Sequence, residues 1–455
     1  MILSKNPYNN EVVGKFEQTS IEALDNMLTL AQQGFTVWRQ TGFDRRSHFL
    51  RRLASNLKDN KDEYATLISN EMGKVISDSR KEVDKSAMAL EYFAEHGENY
   101  LADKPVETVD GEGRVVYEPL GVILGIMPWN YPFWQFFRFA ATTLMAGNAM
   151  ILKHSSQVPA CSKKIEEIFE QTSFPGGVFQ SLVISSSKVN NIIKDFRVQG
   201  VSLTGGAEAG ADVALHAGKH LKKSVLELGG NDPFIVLKDA NVKKAAKAGA
   251  KSRMKNFGQA CNAAKRFIIH ESLADEFLPL LKTELEGQKF GHPLDDTSDY
   301  ASLASREQRK LLEKQVNQSL DKGAELYWKG NRTPETDAFF NPMILTGIKP
   351  GMPAYNEELF GPVASVFVVN DGLEAARLAN DSDYGLGASI WTEDSEHGWK
   401  FAREIQAGII YINGPVRSRP ELPFGGIKKS GLGREMAGEG SREFTNKKSL
   451  WYKVK

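Results

Sequence analysis

A chain of 455 residues exceeds what one compact core holds, so two or three domains are expected. Its 57 basic and 57 acidic side chains cancel, which argues against broad electrostatic binding to nucleic acid or to an anionic membrane. Hydrophobic residues at 41% and charged residues at 25% are ordinary for a soluble globular protein, and two cysteines, Cys161 and Cys261, exclude a disulfide framework or a cysteine-based metal cluster.

The opening MILSKNPYNN lacks a basic start followed by an apolar core, so no secretory signal is expected. No apolar run approaches the roughly 18 residues of a membrane span, and a cytoplasmic protein is expected. Thr19 and Glu22 form a T-x-x-E capping box, after which Ile21, Leu24, Leu28, Ala31, Phe35 and Trp38 recur at helical spacing. Similar amphipathic patterns over 44–57, 63–72 and 83–93 extend a helical layer whose aromatics serve packing. Residues 105–118 read as two strands joined by an Asp110-Gly111 turn, and the C-terminal SLWYKVK as a further strand without a partner nearby in sequence. Unpaired edges seek partners, so these pieces are either oligomer contacts or a local hairpin and a frayed tail.

From Gly121 strands and helices alternate. Strands are predicted at 121–126, 149–153, 177–183, 198–203 and 224–228, with helices between them at 134–145, 159–171, 188–195 and 207–217. This βαβ series predicts an α/β fold with a parallel, doubly wound sheet, whose ligands bind at the carboxyl ends of strands. Asn130 follows the first strand in MPWNYP, and Lys153 and Ser156 lie in LKHSS after the second. Gly205, Gly206 and Gly210 open the helix after the fourth, and Glu227 lies in LELGG at the end of the fifth. A helix N-terminus with open glycines can admit a pyrophosphate. No G-x-G-x-x-G is present, so the glycines fit a dinucleotide site or a plain tight turn equally.

A second α/β unit follows Asn231, with strands at 233–236, 266–270, 363–368, 388–391 and 408–412. Its loop KNFGQACNAAKR, 255–266, sets Cys261 after Gly258 with basic residues at both ends. Positive charge or a nearby base raises the thiolate fraction, and thiolate is the attacking form of cysteine. A lone cysteine is also often an inert core residue.

Six motifs, PWN at 128–130, LTGG at 203–206, ELGG at 227–230, GQAC at 258–261, EELFGP at 357–362 and PFGGIKKSG at 423–431, resemble the aldehyde dehydrogenase superfamily in order and spacing over nearly the whole chain. The resemblance implies a Rossmann-type NAD(P)-binding domain (1–104 and 119–229) and an α/β catalytic domain (230–428). It also implies a small β oligomerisation element (105–118 and 429–455), hence a homodimer or homotetramer. Cys261 is then the nucleophile, Asn130 the oxyanion donor and Glu227 the base that activates water to hydrolyse a thioester. Trp129, Lys153, Ser156, Gly205, Gly206, Glu358 and Phe360 are the implied cofactor contacts. Many NAD-preferring members carry glutamate where this chain has Ser156; a serine beside Lys153 accepts a 2′-phosphate, so NADP is expected, with NAD use open.

LKHSSQVP and PFWQFFRFA also resemble short bacterial succinate-semialdehyde dehydrogenases. That likeness implies that Arg138, Ser418 and Arg419 hold the remote carboxylate of a small aldehyde, with Lys255 where relatives carry a second arginine. Ala263 stands where some relatives have a second cysteine, so a disulfide lock is not expected. Another aldehyde substrate, a CoA-acylating member and a catalytically idle protein on the same scaffold are the competing readings.

Overall fold

The structure, a computed structural model, describes residues 1–333 and 336–453. A six-stranded sheet runs, in spatial order, Gly431–Leu432, Lys223–Glu227, Val198–Thr204, Val122–Met127, Ala149–His154 and Phe179–Leu182. All neighbours are parallel except the short Gly431–Leu432 strand. Helices cover both faces, so the strands are continuous apolar runs rather than alternating ones; every residue of Ala149–His154 is buried. The chain enters the sheet at Val122–Met127, moves out through Ala149–His154 to Phe179–Leu182, and returns to the other side for Val198–Thr204 and Lys223–Glu227. Strand order therefore reverses between Val122–Met127 and Val198–Thr204. A crevice beyond their carboxyl ends follows from that reversal, and Trp129, Asn130, Gly205 and Gly206 stand at it.

The helix Trp134–Met145 leaves this edge and is buried on all sides, its largely apolar surface interrupted by Gln135, Arg138, Thr142 and Thr143. Its first N–H groups, of Phe133 and Trp134, donate to Glu82 Oε1 at 2.8 and 3.0 Å. A side chain from another helix, Ile76–Leu101, thus caps it.

A seven-stranded sheet forms the second unit, in the order Glu325–Lys329, Met343–Thr346, Val363–Val369, Arg266–His270, Pro233–Val236, Gly387–Trp391 and Ile409–Ile412. Only Glu325–Lys329 is antiparallel to its neighbour. Here the notable loops precede strands: Cys261 comes before Arg266–His270, and 357–362 before Val363–Val369. Asn130 Nδ2 donates to the Gln259 carbonyl at 3.0 Å, joining the carboxyl edge of the first sheet to the amino edge of the second. The expectation that ligand residues follow strands therefore holds for the first sheet alone.

The hairpin strands Lys104–Thr108 and Gly111–Pro119 take a third partner, Thr445–Lys453, antiparallel to the second. The tail expected to be unpartnered is an edge strand of this sheet, and the last two residues of SLWYKVK lie outside the described residues. At the N-terminus Ile2–Lys5 and Val12–Phe16 form a hairpin that the residue pattern did not indicate. Ser20, not Thr19, caps the first helix, Ile21–Trp38, accepting from Ala23 N–H at 3.0 Å. Thr19 instead pairs through its backbone and hydroxyl with Val183. Among the described residues, no helix is long and apolar enough to cross a membrane.

Candidate active site

The chain reaches Cys261 through a left-handed turn. Asn256, Phe257 and Gly258 have φ of 49°, 54° and 78°, a conformation costly for the first two residues. A Cβ on Gly258 would lie 2.3 Å from Gly361 backbone atoms, so the EELFGP loop sits directly on the turn. Asn256 Nδ2 holds the turn by donating to the carbonyls of Asn130 (2.9 Å) and Gln259 (3.2 Å). Arg253 donates to the Gly258 carbonyl at 2.6 Å. Beyond the turn, Lys265 Nζ donates to the carbonyls of Cys261 (2.6 Å) and Ala260 (3.1 Å) and pairs with Glu358 Oε1 at 3.1 Å. Two expected site residues, Cys261 and Glu358, are thus tied through a lysine that the motifs did not single out.

Cys261 is half-buried. Burial pushes its thiol up to about 11, against the opposing pull of Lys265 and Arg138. The basic flanks expected to favour thiolate do lower the value, but desolvation outweighs them, and the resting group is a thiol that needs a base. Cys161 is fully buried beside Glu71 and is driven well above its ordinary value, as expected of an inert core cysteine.

Glu227 ends its strand with its carboxylate buried, and neither oxygen has a hydrogen-bond partner among the described residues. Desolvation first, and the charge of Glu435 second, raise it well above the usual carboxylate range, with Arg138 and Arg434 opposing. A carboxyl raised in this way is a better base near neutrality than a solvated one.

The residues expected at the cofactor come from the ends of the first-sheet strands and from the 357–362 loop. Trp129 and Phe360 meet edge to face with centroids 5.8 Å apart. Lys153 is buried near the end of its strand, its affinity for a proton lowered by that burial, and Ser156 is exposed three residues on. Gly206 is the residue before helix Ala207–Lys219, and a Cβ there would meet nothing within 4 Å. Packing does not demand that glycine; the open space at a helix N-terminus suits a pyrophosphate.

The expected substrate residues are not all brought together. Arg138 is buried, but its guanidinium pairs with Glu435, a charge contact without hydrogen-bond alignment, and lies 4.5 Å from the Phe424 ring centroid. Its charge acts on the buried Glu227 and Glu435 carboxyls, and its Nη2 has no hydrogen-bond partner among the described residues. Arg419 is exposed, and Arg417, not Arg419, acts on Lys255 electrostatically. Lys255 does come in beside Cys261: it senses the charge of that cysteine and reaches Asn262 Oδ1 at 3.4 Å. Lys85, from the helix Ile76–Leu101, donates to Ser418 Oγ at 2.6 Å and stands 4.0 Å from the Trp134 ring centroid. Nothing local in sequence marks Lys85; one more lysine on an amphipathic helix reads as a surface charge.

A doubly wound sheet with an open switch-point crevice, facing a loop that carries a half-buried cysteine, defines an α/β protein built for cysteine chemistry next to a nucleotide. The chain belongs to the aldehyde dehydrogenase family, whose sequence profile matches residues 1–450. It is 44% identical over 450 residues, 99% of each chain, to a probable NADP(+) succinate-semialdehyde dehydrogenase of Synechocystis sp.. It is 41% identical over 443 residues to the NADP(+) succinate-semialdehyde dehydrogenase of Deinococcus radiodurans, covering 97% of this chain and 93% of that one. Among solved structures, succinic semialdehyde dehydrogenase from Streptococcus pyogenes in complex with NADP+ superposes with a TM-score of 0.97 at 36% identity, over 100% of both chains.

Proposed function

We propose that this protein oxidises succinic semialdehyde, or a similarly carboxylated small aldehyde, to the acid with reduction of NADP+. The observation that carries the reading is a half-buried Cys261 in a loop tied to Asn130 through the Gln259 carbonyl, with the Lys255 ammonium acting on that cysteine, in a chain similar along its length to enzymes named for that reaction.

Cys261 loses its proton to a base and its sulfur adds to the aldehyde carbon, forming a thiohemiacetal. The Asn130 amide, fixed by its bond to the Gln259 carbonyl, is the donor to the developing oxyanion; loss of one such donor costs about 3–4 kcal/mol. NADP+, when bound at Lys153, Ser156, Gly205 and Gly206 with its nicotinamide end at Glu358, Trp129 and Phe360, supplies the hydride acceptor. Glu227 then takes a proton from the water that attacks the Cys261 thioester, and the acid leaves as the thiol is restored. The net change is aldehyde, water and NADP+ to acid, NADPH and a proton.

The hairpin 105–118 and the tail carry the contact between subunits in this reading, giving a homodimer or homotetramer, with residues 1–104 and 119–229 forming the nucleotide unit and 230–428 the catalytic unit. The test is NADPH formation with succinic semialdehyde and with butyraldehyde, which has the same carbon count without the charge. The carboxylated aldehyde should have the higher kcat/KM, since buried donors left unpaired by a neutral analogue penalise it. A preference for butyraldehyde would defeat the substrate reading, and absence of NADPH with any aldehyde would defeat the activity.

A further inference from the structure

Lys74, Lys85, Arg138 and Lys255 crowd the region around Tyr131, Trp134 and Cys261. Two of these cations have carboxylates: Lys74 pairs with Glu82 at 2.5 Å, and Arg138 with Glu435. Among the described residues neither Lys85 nor Lys255 forms an ion pair. Asp78, the carboxylate that acts on Lys255, is paired with Lys81 at 2.9 Å. Lys255 makes only the 3.4 Å contact to Asn262 and stands 5.8 Å from the Tyr131 ring centroid. Two half-buried ammonium groups without counter-ions are costly unless an anion joins them.

We propose that Lys85 determines substrate specificity: with the Ser418 hydroxyl it receives the remote carboxylate of the aldehyde, and Lys255 is the second cation of that end, whose charge the same carboxylate offsets. This rests on the carboxylated-aldehyde reading above and names the residue that executes it.

The geometry favours Lys85 over the arginines. Ser418 Oγ accepts from Lys85 and so keeps its hydroxyl hydrogen for a carboxylate oxygen, while the ammonium keeps further N–H groups for the same ligand. The Trp134 ring beneath Nζ holds the ammonium in place. Arg138, by contrast, already has a carboxylate partner in Glu435, whereas Lys85 has none among the described residues. Burial holds the Lys85 proton affinity well below the ordinary lysine value, and Lys255 and Arg138 lower it further, against Cys261 and Glu82. An arriving carboxylate opposes that repulsion and favours the charged form.

The experiment compares wild type with Lys85→Met and Lys85→Arg, reading the ratio of kcat/KM for succinic semialdehyde over butyraldehyde. Lys85→Met should lower this ratio by about 30-fold or more, mainly through KM, as loss of a charged contact to a buried partner does; Lys85→Arg should restore part of it. In wild type, KM for succinic semialdehyde should climb with pH as Lys85 loses its proton, while Lys85→Arg stays level to higher pH. A wild-type ratio near one would sink the carboxylated-aldehyde reading itself. A wild-type preference that survives in Lys85→Met would overturn the role of Lys85 and leave that reading standing. If Lys85→Met does not fold, the Lys85→Arg and wild-type pH profiles decide, and identical profiles overturn the proposal.

Discussion

At the scale of single residues, burial raises the proton affinity of both reactive groups of the site. Cys261 is a thiol raised by burial, and Glu227 a carboxyl raised by burial and by Glu435. The charge of Arg138 opposes both shifts, so one buried arginine acts on both groups. Ser156 differs in kind, since it is exposed and in the proposed function bears only on the choice of nucleotide. Ser156→Glu should move the NADP/NAD ratio of kcat/KM towards NAD, because a carboxylate there repels a 2′-phosphate and accepts from a 2′-hydroxyl. Near a partly exposed site that repulsion is at most about a few kcal/mol. An unchanged ratio in assays with both nucleotides would mean that Ser156 does not read the 2′ position.

At the scale of elements, the strand Ala149–His154 ends on a histidine that ties two loops together. His154 Nδ1 accepts from Ser155 N–H at 2.9 Å and Nε2 contacts the Pro132 carbonyl at 2.9 Å, two residues beyond Asn130. Both ring nitrogens are occupied only in the neutral form, and burial lowers the group from 6.5 to about 4. A histidine lowered by folding contributes stability that is present above its unfolded value near 6.5 and lost as pH falls through the folded value. The full loss is about 3 kcal/mol. The thermal midpoint should therefore drop between pH 7 and pH 4.5, and the drop should be smaller in His154→Gln. Equal drops in both proteins would assign the acid sensitivity elsewhere. The βα periodicity of 121–228 was readable because fully buried strands and amphipathic helices leave strong local patterns. The Ser20 cap, the N-terminal hairpin and the full 26-residue span of Ile76–Leu101 were not. In each, a tertiary partner, such as Val183 for Thr19, decided between locally similar options.

At the scale of the molecule, the motifs singled out Cys261, Asn130 and Glu227 because each lies in a short contiguous stretch, GQAC, PWN and ELGG. The chamber wall was hidden because Lys85 and Ser418 stand 333 residues apart and meet only once both sheets are docked. The same separation explains why Arg138 read as open: its partner Glu435 lies in the closing loop beyond the second sheet. The tail illustrates the converse, a strand visible in sequence whose purpose needs the whole assembly. Thr445–Lys453 is an edge of the three-stranded sheet, and Leu450, Trp451 and Tyr452 are 47%, 52% and 69% exposed on it. An unpaired edge bearing large apolar side chains is a template for association unless a partner covers it. Leu450 and Tyr452 share one face, so Leu450→Asp combined with Tyr452→Asp puts two charges into that contact without touching the Trp451 bond to Thr108. Light scattering should find wild type as a dimer or tetramer and the double variant shifted to monomer, with the far-ultraviolet circular dichroism spectrum retained. A wild-type monomer, or a double variant with wild-type mass, would show that this edge does not join subunits.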